Sequence, residues 1–119
     1  MSKKILIAED EKPMAKALEL KLKKEGYNPK VVYNGAEALK SLESEKFSLL
    51  LMDLMMPVMD GFALLTELKE KKNNIPVIVL SNLGQEEDLR RAKKLGAKDY
   101  FIKSDTPIAK IVENVKKFV

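Results

Sequence analysis

The stretch LLLMDLMMPVMDGF, residues 49–62, decides the fold. Its opening residues are apolar without polar alternation, as in strands covered on both faces, and such strands belong to parallel sheets flanked by helices. Yet the run ends on a carboxylate, Asp53. An aspartate at a buried strand end is costly to desolvate unless a cation, a hydrogen-bond donor or a chemical task holds it there.

Working outward, further apolar runs of strand length occur at ILIA (5–8), VVY (31–33), FSLLLM (47–52), PVIVL (76–80) and DYFI (99–102). Five strands are expected, separated by segments of helical period. In KPMAKALELKLKKEG, Met14, Leu18 and Leu22 share a face, Pro13 suits the first turn and Gly26 the stop. The fourth such segment opens on Glu86, Glu87 and Asp88 and continues with Arg90, Arg91, Lys93 and Lys94 before Gly96, the charge order that complements a helix dipole. The last puts Ile108, Ile111, Val112, Val115 and Phe118 on one stripe. The order βαβαβαβαβα specifies an α/β fold with a doubly wound parallel sheet.

A chain of 119 residues, 45% of them hydrophobic, fits one compact domain with a single core, expected over residues 1–119. It has no cysteine and no histidine, which excludes disulfides and thiolate metal sites and removes the usual general base. Chemistry must use carboxylates, hydroxyls, amines and backbone. With no long apolar run and no leader pattern, neither a membrane span nor a secretory signal is expected, and the expected compartment is the cytoplasm. The net charge of +4 is spread among interleaved acids, which reads as solvated helix faces rather than a nucleic-acid surface.

In open parallel sheets, sites form outside the carboxyl ends of the strands. The residues there are Glu9 and Asp10 after the first run, Asp53 after the third, Ser81 and Asn82 after the fourth and Lys103 after the fifth. The second run offers nothing chemical, as expected of an edge strand. Three converging carboxylates raise one another's pKa values unless a cation compensates them. With only oxygen ligands on offer, Mg²⁺ fits, since it keeps waters and pairs with phosphate.

Together AED (8–10), MDLMMPVMDG (52–61), LSN (80–82) and KKLGAKDYFIK (93–103), at these intervals, resemble the response-regulator receiver domain, the CheY-like module of two-component signalling. The resemblance spans essentially the whole chain and implies a five-stranded parallel sheet of order 2-1-3-4-5 with five helices. It implies that Asp53 is phosphorylated by a phosphohistidine on a histidine kinase or a histidine phosphotransfer protein. Asp10, Asp53 and the Met55 backbone carbonyl would bind Mg²⁺, with Glu9 holding the ion through water. Lys103 would pair with phosphoryl oxygens, and Ser81 would reach one of them after transfer. Ser81 and Tyr100 would form the switch that reshapes the surface of the fourth helix, fifth strand and fifth helix for a downstream protein. The resemblance further implies self-phosphorylation and self-dephosphorylation rather than turnover, a monomer or weak homodimer, and no direct contact with nucleic acid or membrane.

In the segment after Asp53, Asp60 is expected to cap the third helix, Pro57 and Gly61 to shape the turn, and Met55, Met56 and Met59 to pack within the loop. A flavodoxin-like flavin carrier would share the topology, but the acidic loop EDEK (9–12) would repel a flavin phosphate. A haloacid-dehalogenase-type phosphatase needs a second carboxylate two positions after the nucleophile, where this chain has Met55. A phosphorylation-independent docking module is the remaining alternative. One departure from the receiver pattern lies in IKSDTP (102–107), where Ser104 stands in place of the usual proline after the pocket lysine. A trans Lys103–Ser104 peptide is therefore expected, with Asp105 or Thr106 capping the last helix and Pro107 in its first turn.

Overall fold

Five strands form where the apolar runs place them, and helices fill the intervals. A computed structural model describes residues 2–119. In chain order the elements are β1 (Lys4–Ala8), α1 (Lys12–Lys24), β2 (Asn28–Val32), α2 (Gly35–Ser44), β3 (Leu49–Met52), α3 (Gly61–Glu70), β4 (Val77–Ser81), α4 (Glu86–Lys94), β5 (Asp99–Ile102) and α5 (Ile108–Val115). All strand pairs are parallel, and the sheet order is β2-β1-β3-β4-β5.

Because side chains alternate across a strand, each strand feeds both faces. Leu6, Leu50, Met52, Val77 and Val79 pack with Ala38 of α2, Leu64, Leu65 and Leu68 of α3, and Ala92 of α4. Their neighbours Ile5, Ile7, Leu49, Leu51, Ile78 and Leu80 pack on the other side against Leu18 and Leu22 of α1 and Ile111, Val112 and Val115 of α5. This two-sided cover is why LLLM carries no polar alternation: all four residues of β3 are buried. No helix among the described residues is long and apolar enough to cross a membrane.

The boundaries shift in instructive places. β2 starts earlier than VVY and ends at Val32, so Tyr33 lies outside it and is exposed. Asn28 and Lys30 alternate outward there, as an edge strand allows, which hides the first residues of the strand from a search for apolar runs. Ser81 is the last residue of β4 rather than the first after it. The Asp60 side chain caps α3, accepting the Ala63 N–H at 2.8 Å.

The expected cap of α5 is not observed. Lys103–Asp105 form one 3-10 turn, which takes Asp105 out of reach, and Pro107 itself is the N-cap, with no side-chain cap bond. The Lys103–Ser104 peptide is trans, as expected.

Candidate functional site

The sheet's own hydrogen bonds carry its acids into place. Each ladder extends one residue past its strand: the Glu9 N–H donates to the Val32 carbonyl at 3.0 Å, and the Asp53 N–H to the Ala8 carbonyl at 3.0 Å. Both backbones are thus fixed before any side-chain chemistry is considered. Ser81 lies opposite Ile102 in the β4–β5 register, and Lys103 follows directly.

Glycine lets the surrounding loops close in. A Cβ on Gly61 would lie 2.7 Å from the Asp53 carbonyl oxygen and 2.8 Å from the Leu54 Cα, so the first turn of α3 can rest on the strand end only without a side chain. A Cβ on Gly35 would lie 2.2 Å from the Met59 carbonyl oxygen, which instead accepts the Gly35 N–H at 3.0 Å. That bond ties the β2–α2 loop to the β3–α3 loop.

At the centre stands the Lys103 ammonium, 2.8 Å from Asp53 Oδ2, 2.7 Å from Glu9 Oε1 and 3.3 Å from Glu11 Oε1. The side chains of Lys103, Asp53 and Glu9 are at most 4% exposed, whereas Glu11 is 56% exposed. The second oxygens of the buried acids are held by backbone: Asp53 Oδ1 accepts the Met55 N–H at 3.1 Å, and Glu9 Oε2 accepts the Glu11 N–H at 3.0 Å. Glu9 Oε1 has the Lys103 ammonium as its partner.

These contacts set the local acidities. Burial pushes Glu9 up to about 7, against the pull of Lys103 in the other direction. Burial alone would lower the Lys103 ammonium, but the Asp53 and Glu9 carboxylates more than reverse this and hold it above the ordinary lysine range.

A crevice of about 330 Å³ opens beside this cluster, lined by Asp10, Glu11, Asp53, Met55, Asn82 and Lys103. Carboxylate oxygens of Glu9, Asp10 and Asp53 all come within 4.8 Å of one another. An all-oxygen donor set of this charge fits a hard divalent cation. Asp10 forms the exposed side of the group and Glu9 its buried floor.

The structure brings Glu9, Asp10, Asp53 and Lys103 together, with Met55 on the rim. Met55 is 58% exposed, so it does not pack in the loop as expected, although Met56 is buried and Met59 partly so. Ser81 and Tyr100 stand apart from the crevice lining and are joined through Leu83. The Leu83 N–H donates to Ser81 Oγ at 3.3 Å, and the Tyr100 hydroxyl donates to the Leu83 carbonyl. Burial, then the Asp88 charge, pushes the Tyr100 phenol up. Glu11 was not foreseen as a partner of Lys103; the third acid of EDEK was its only signal.

Comparison with known proteins places this geometry. The response regulator receiver domain family matches residues 5–116. The chain is 36% identical over 107 residues to the alkaline phosphatase synthesis transcriptional regulatory protein PhoP of Bacillus subtilis (strain 168), covering 90% of this chain and 45% of that protein. It therefore spans about half the length of that relative. The receiver domain of the Francisella response regulator 1452 superposes with a TM-score of 0.93 at 32% identity, covering 98% of this chain and 96% of the other. The receiver domain of the sensor histidine kinase PA1611 from Pseudomonas aeruginosa PAO1, whose structure has a magnesium ion coordinated in its active-site cleft, superposes with a TM-score of 0.88 at 26% identity, covering 99% and 98% of the two chains. With sheet order, match and identity in agreement, the chain belongs to the response regulator receiver domain family of two-component signalling.

Proposed function

We propose that residues 1–119 act as one receiver domain in which Asp53 takes a phosphoryl group from a phosphohistidine on a histidine kinase or a histidine phosphotransfer protein. The Asp53 carboxylate attacks phosphorus, the phosphorus–nitrogen bond breaks with its electron pair passing to the imidazole, and an acyl phosphate forms on Asp53. The step needs positioning and charge neutralisation rather than a base, so a histidine-free site can perform it. The observation that carries this reading is the burial of Asp53, 2.8 Å from the Lys103 ammonium and beside two further acids.

Asp10, Asp53 and the Met55 carbonyl would hold Mg²⁺, with Glu9 acting through water. The ion would supply charge neutralisation for phosphoryl oxygens. The magnesium in the cleft of the PA1611 receiver supports that choice of metal. Lys103, already paired with Asp53, turns its ammonium to a phosphoryl oxygen once the carboxylate is phosphorylated. The chemistry stays on the chain's own aspartate, formed and hydrolysed there, without turnover of a substrate.

Output follows from the Leu83 link. When the Ser81 hydroxyl reaches for the phosphoryl group it gives up the Leu83 N–H, and the Tyr100 bond to the Leu83 carbonyl loses its anchor. The face of α4, β5 and α5 then favours a second arrangement, which a downstream protein reads. The protein acts in the cytoplasm as a monomer or weak homodimer, without direct contact to nucleic acid or membrane. A radiolabelled phosphohistidine donor with Mg²⁺ should transfer label to the wild type and none to Asp53→Asn. Equal labelling of both would refute the assignment, and no labelling of either would favour a docking module.

A further inference from the structure

A larger groove, of about 640 Å³, lies at the opposite end of the sheet, where the loops after α3 and α4 meet the start of β4. Its rim carries Lys69, Lys72, Lys94 and Lys98, and no acidic residue among those described lines it. Its charge therefore equals in size the whole chain's net +4, gathered in one place. Some lysines elsewhere are paired: Lys71, one residue from Lys72, pairs with Glu43, and Lys4 and Lys30 both pair with Glu45. The four rim lysines have no carboxylate at ion-pair distance among the described residues. Lys69 and Lys94 complement the dipoles of α3 and α4, but Lys72 and Lys98 lie outside both helices, so the helix dipoles account for only half of the set.

The walls are bridged at one point, where Lys69 Nζ donates to the Lys94 carbonyl at 3.2 Å and so links the ends of α3 and α4. Between the lysines the floor is apolar, with Ile75 and Leu95 each partly exposed. A small inorganic anion would leave that floor uncovered. A single-stranded nucleic acid would look for arginine or aromatic side chains on which to stack, and the lining has neither.

We propose that this groove docks an acidic segment of a partner protein, one that sets an aliphatic or aromatic side chain on Ile75 and Leu95 between carboxylates paired with the four lysines. The site faces away from Asp53, so such a partner can stay bound while the phosphoryl group comes and goes. It would tether a partner without obstructing the donor.

Fluorescence anisotropy on the full chain tests this with a fluorescein-labelled decapeptide of alternating glutamate and leucine. Saturable binding at a Kd no weaker than about 100 µM is expected. Lys94→Glu/Lys98→Glu should weaken it roughly tenfold or more, and Asp53→Asn should leave it unchanged. Should the charge-reversed pair fail to fold, Lys94→Gln/Lys98→Gln decides, with about threefold weakening expected. No saturation, undiminished binding by the folded variant, or a clear effect of Asp53→Asn would overturn the proposal. So would equal or tighter binding of an all-glutamate decapeptide, inorganic polyphosphate or a single-stranded oligonucleotide, which would reveal a site for anions in general or for nucleic acid.

Discussion

Replacing Lys103 with methionine removes the only cation at ion-pair distance from the buried Glu9 and Asp53 carboxylates among the described residues. Breaking one side of a buried ion pair costs about 3–5 kcal/mol, because the remaining charge is left desolvated. Relief comes from Glu9, which burial already raises to about 7 and which can take up a proton once the ammonium is gone. The lower end, ~3 kcal/mol, is therefore expected at neutral pH. An unfolding entropy of roughly 2.1 cal/mol/K per residue gives ~0.25 kcal/mol/K for a chain of this length, so the melting temperature should fall by about 12 °C. Differential scanning calorimetry in chelator measures this directly. Adding Mg²⁺ should recover part of the loss by restoring a cation to the cluster, and Lys103→Met/Asp53→Asn should be more stable than Lys103→Met alone. A single variant melting within about 2 °C of wild type, or a double variant no better than the single, would refute the claim that Lys103 compensates the buried acids.

Three further outcomes follow from the same geometry. Burial raises Glu9 from 4.5 to about 7, so its stabilising contribution is full below about pH 4.5 and is lost as pH rises through about 7. Glu9→Gln should flatten thermal stability across that window, and an unchanged slope would contradict the assignment. Asp10→Asn should weaken Mg²⁺ binding more than Glu9→Gln in isothermal titration calorimetry, and without metal it should stabilise the fold by roughly 0.5–1 kcal/mol, since Asp10 is exposed and unpaired. The reverse order of affinities would exchange the roles of the two acids. Gly35→Ala would force a Cβ to 2.2 Å from the Met59 carbonyl oxygen and should lower the urea midpoint by the equivalent of about 1–3 kcal/mol. An unchanged midpoint would mean the two loops separate freely.

How much of this could be read before folding depends on what each feature rests on. LLLM, VIVL and the amphipathic α5 stripe report burial, and burial periodicity is written along the chain, so the sheet and its two-sided cover were legible. Glu9, Asp53 and Lys103 were legible because each follows a strand directly, with Asp10 one residue further on, and parallel strands end at one edge. The Glu11 contact was not, since a side chain 56% exposed and 92 residues from Lys103 leaves no periodic trace. The cap of α5 was misread because Asp105 and Thr106 have the chemistry of caps, and only the 3-10 turn after β5 shows that neither is placed to act.

The apo stability of the acid cluster also changes meaning once geometry is known. Clustered acids alone imply that neutralising either Asp53 or Asp10 relieves repulsion. Among the described residues Asp10 has no cation at ion-pair distance, while Asp53 shares a buried contact of 2.8 Å with Lys103. Metal-free Asp53→Asn should therefore not match the gain of Asp10→Asn, because it also abandons a buried ammonium.

The central claim, that Asp53 carries the phosphoryl group, is tested most directly by trapping the acyl phosphate. After incubation with Mg²⁺ and a small acyl phosphate, borohydride reduction converts a phosphorylated aspartate to homoserine, which peptide mass spectrometry locates. Homoserine at position 53 and nowhere else, lost when Mg²⁺ is chelated, is the predicted result. Homoserine at Asp10 or another acid with Asp53 intact, or no homoserine in a sample whose intact mass shows one added phosphoryl group, would contradict it.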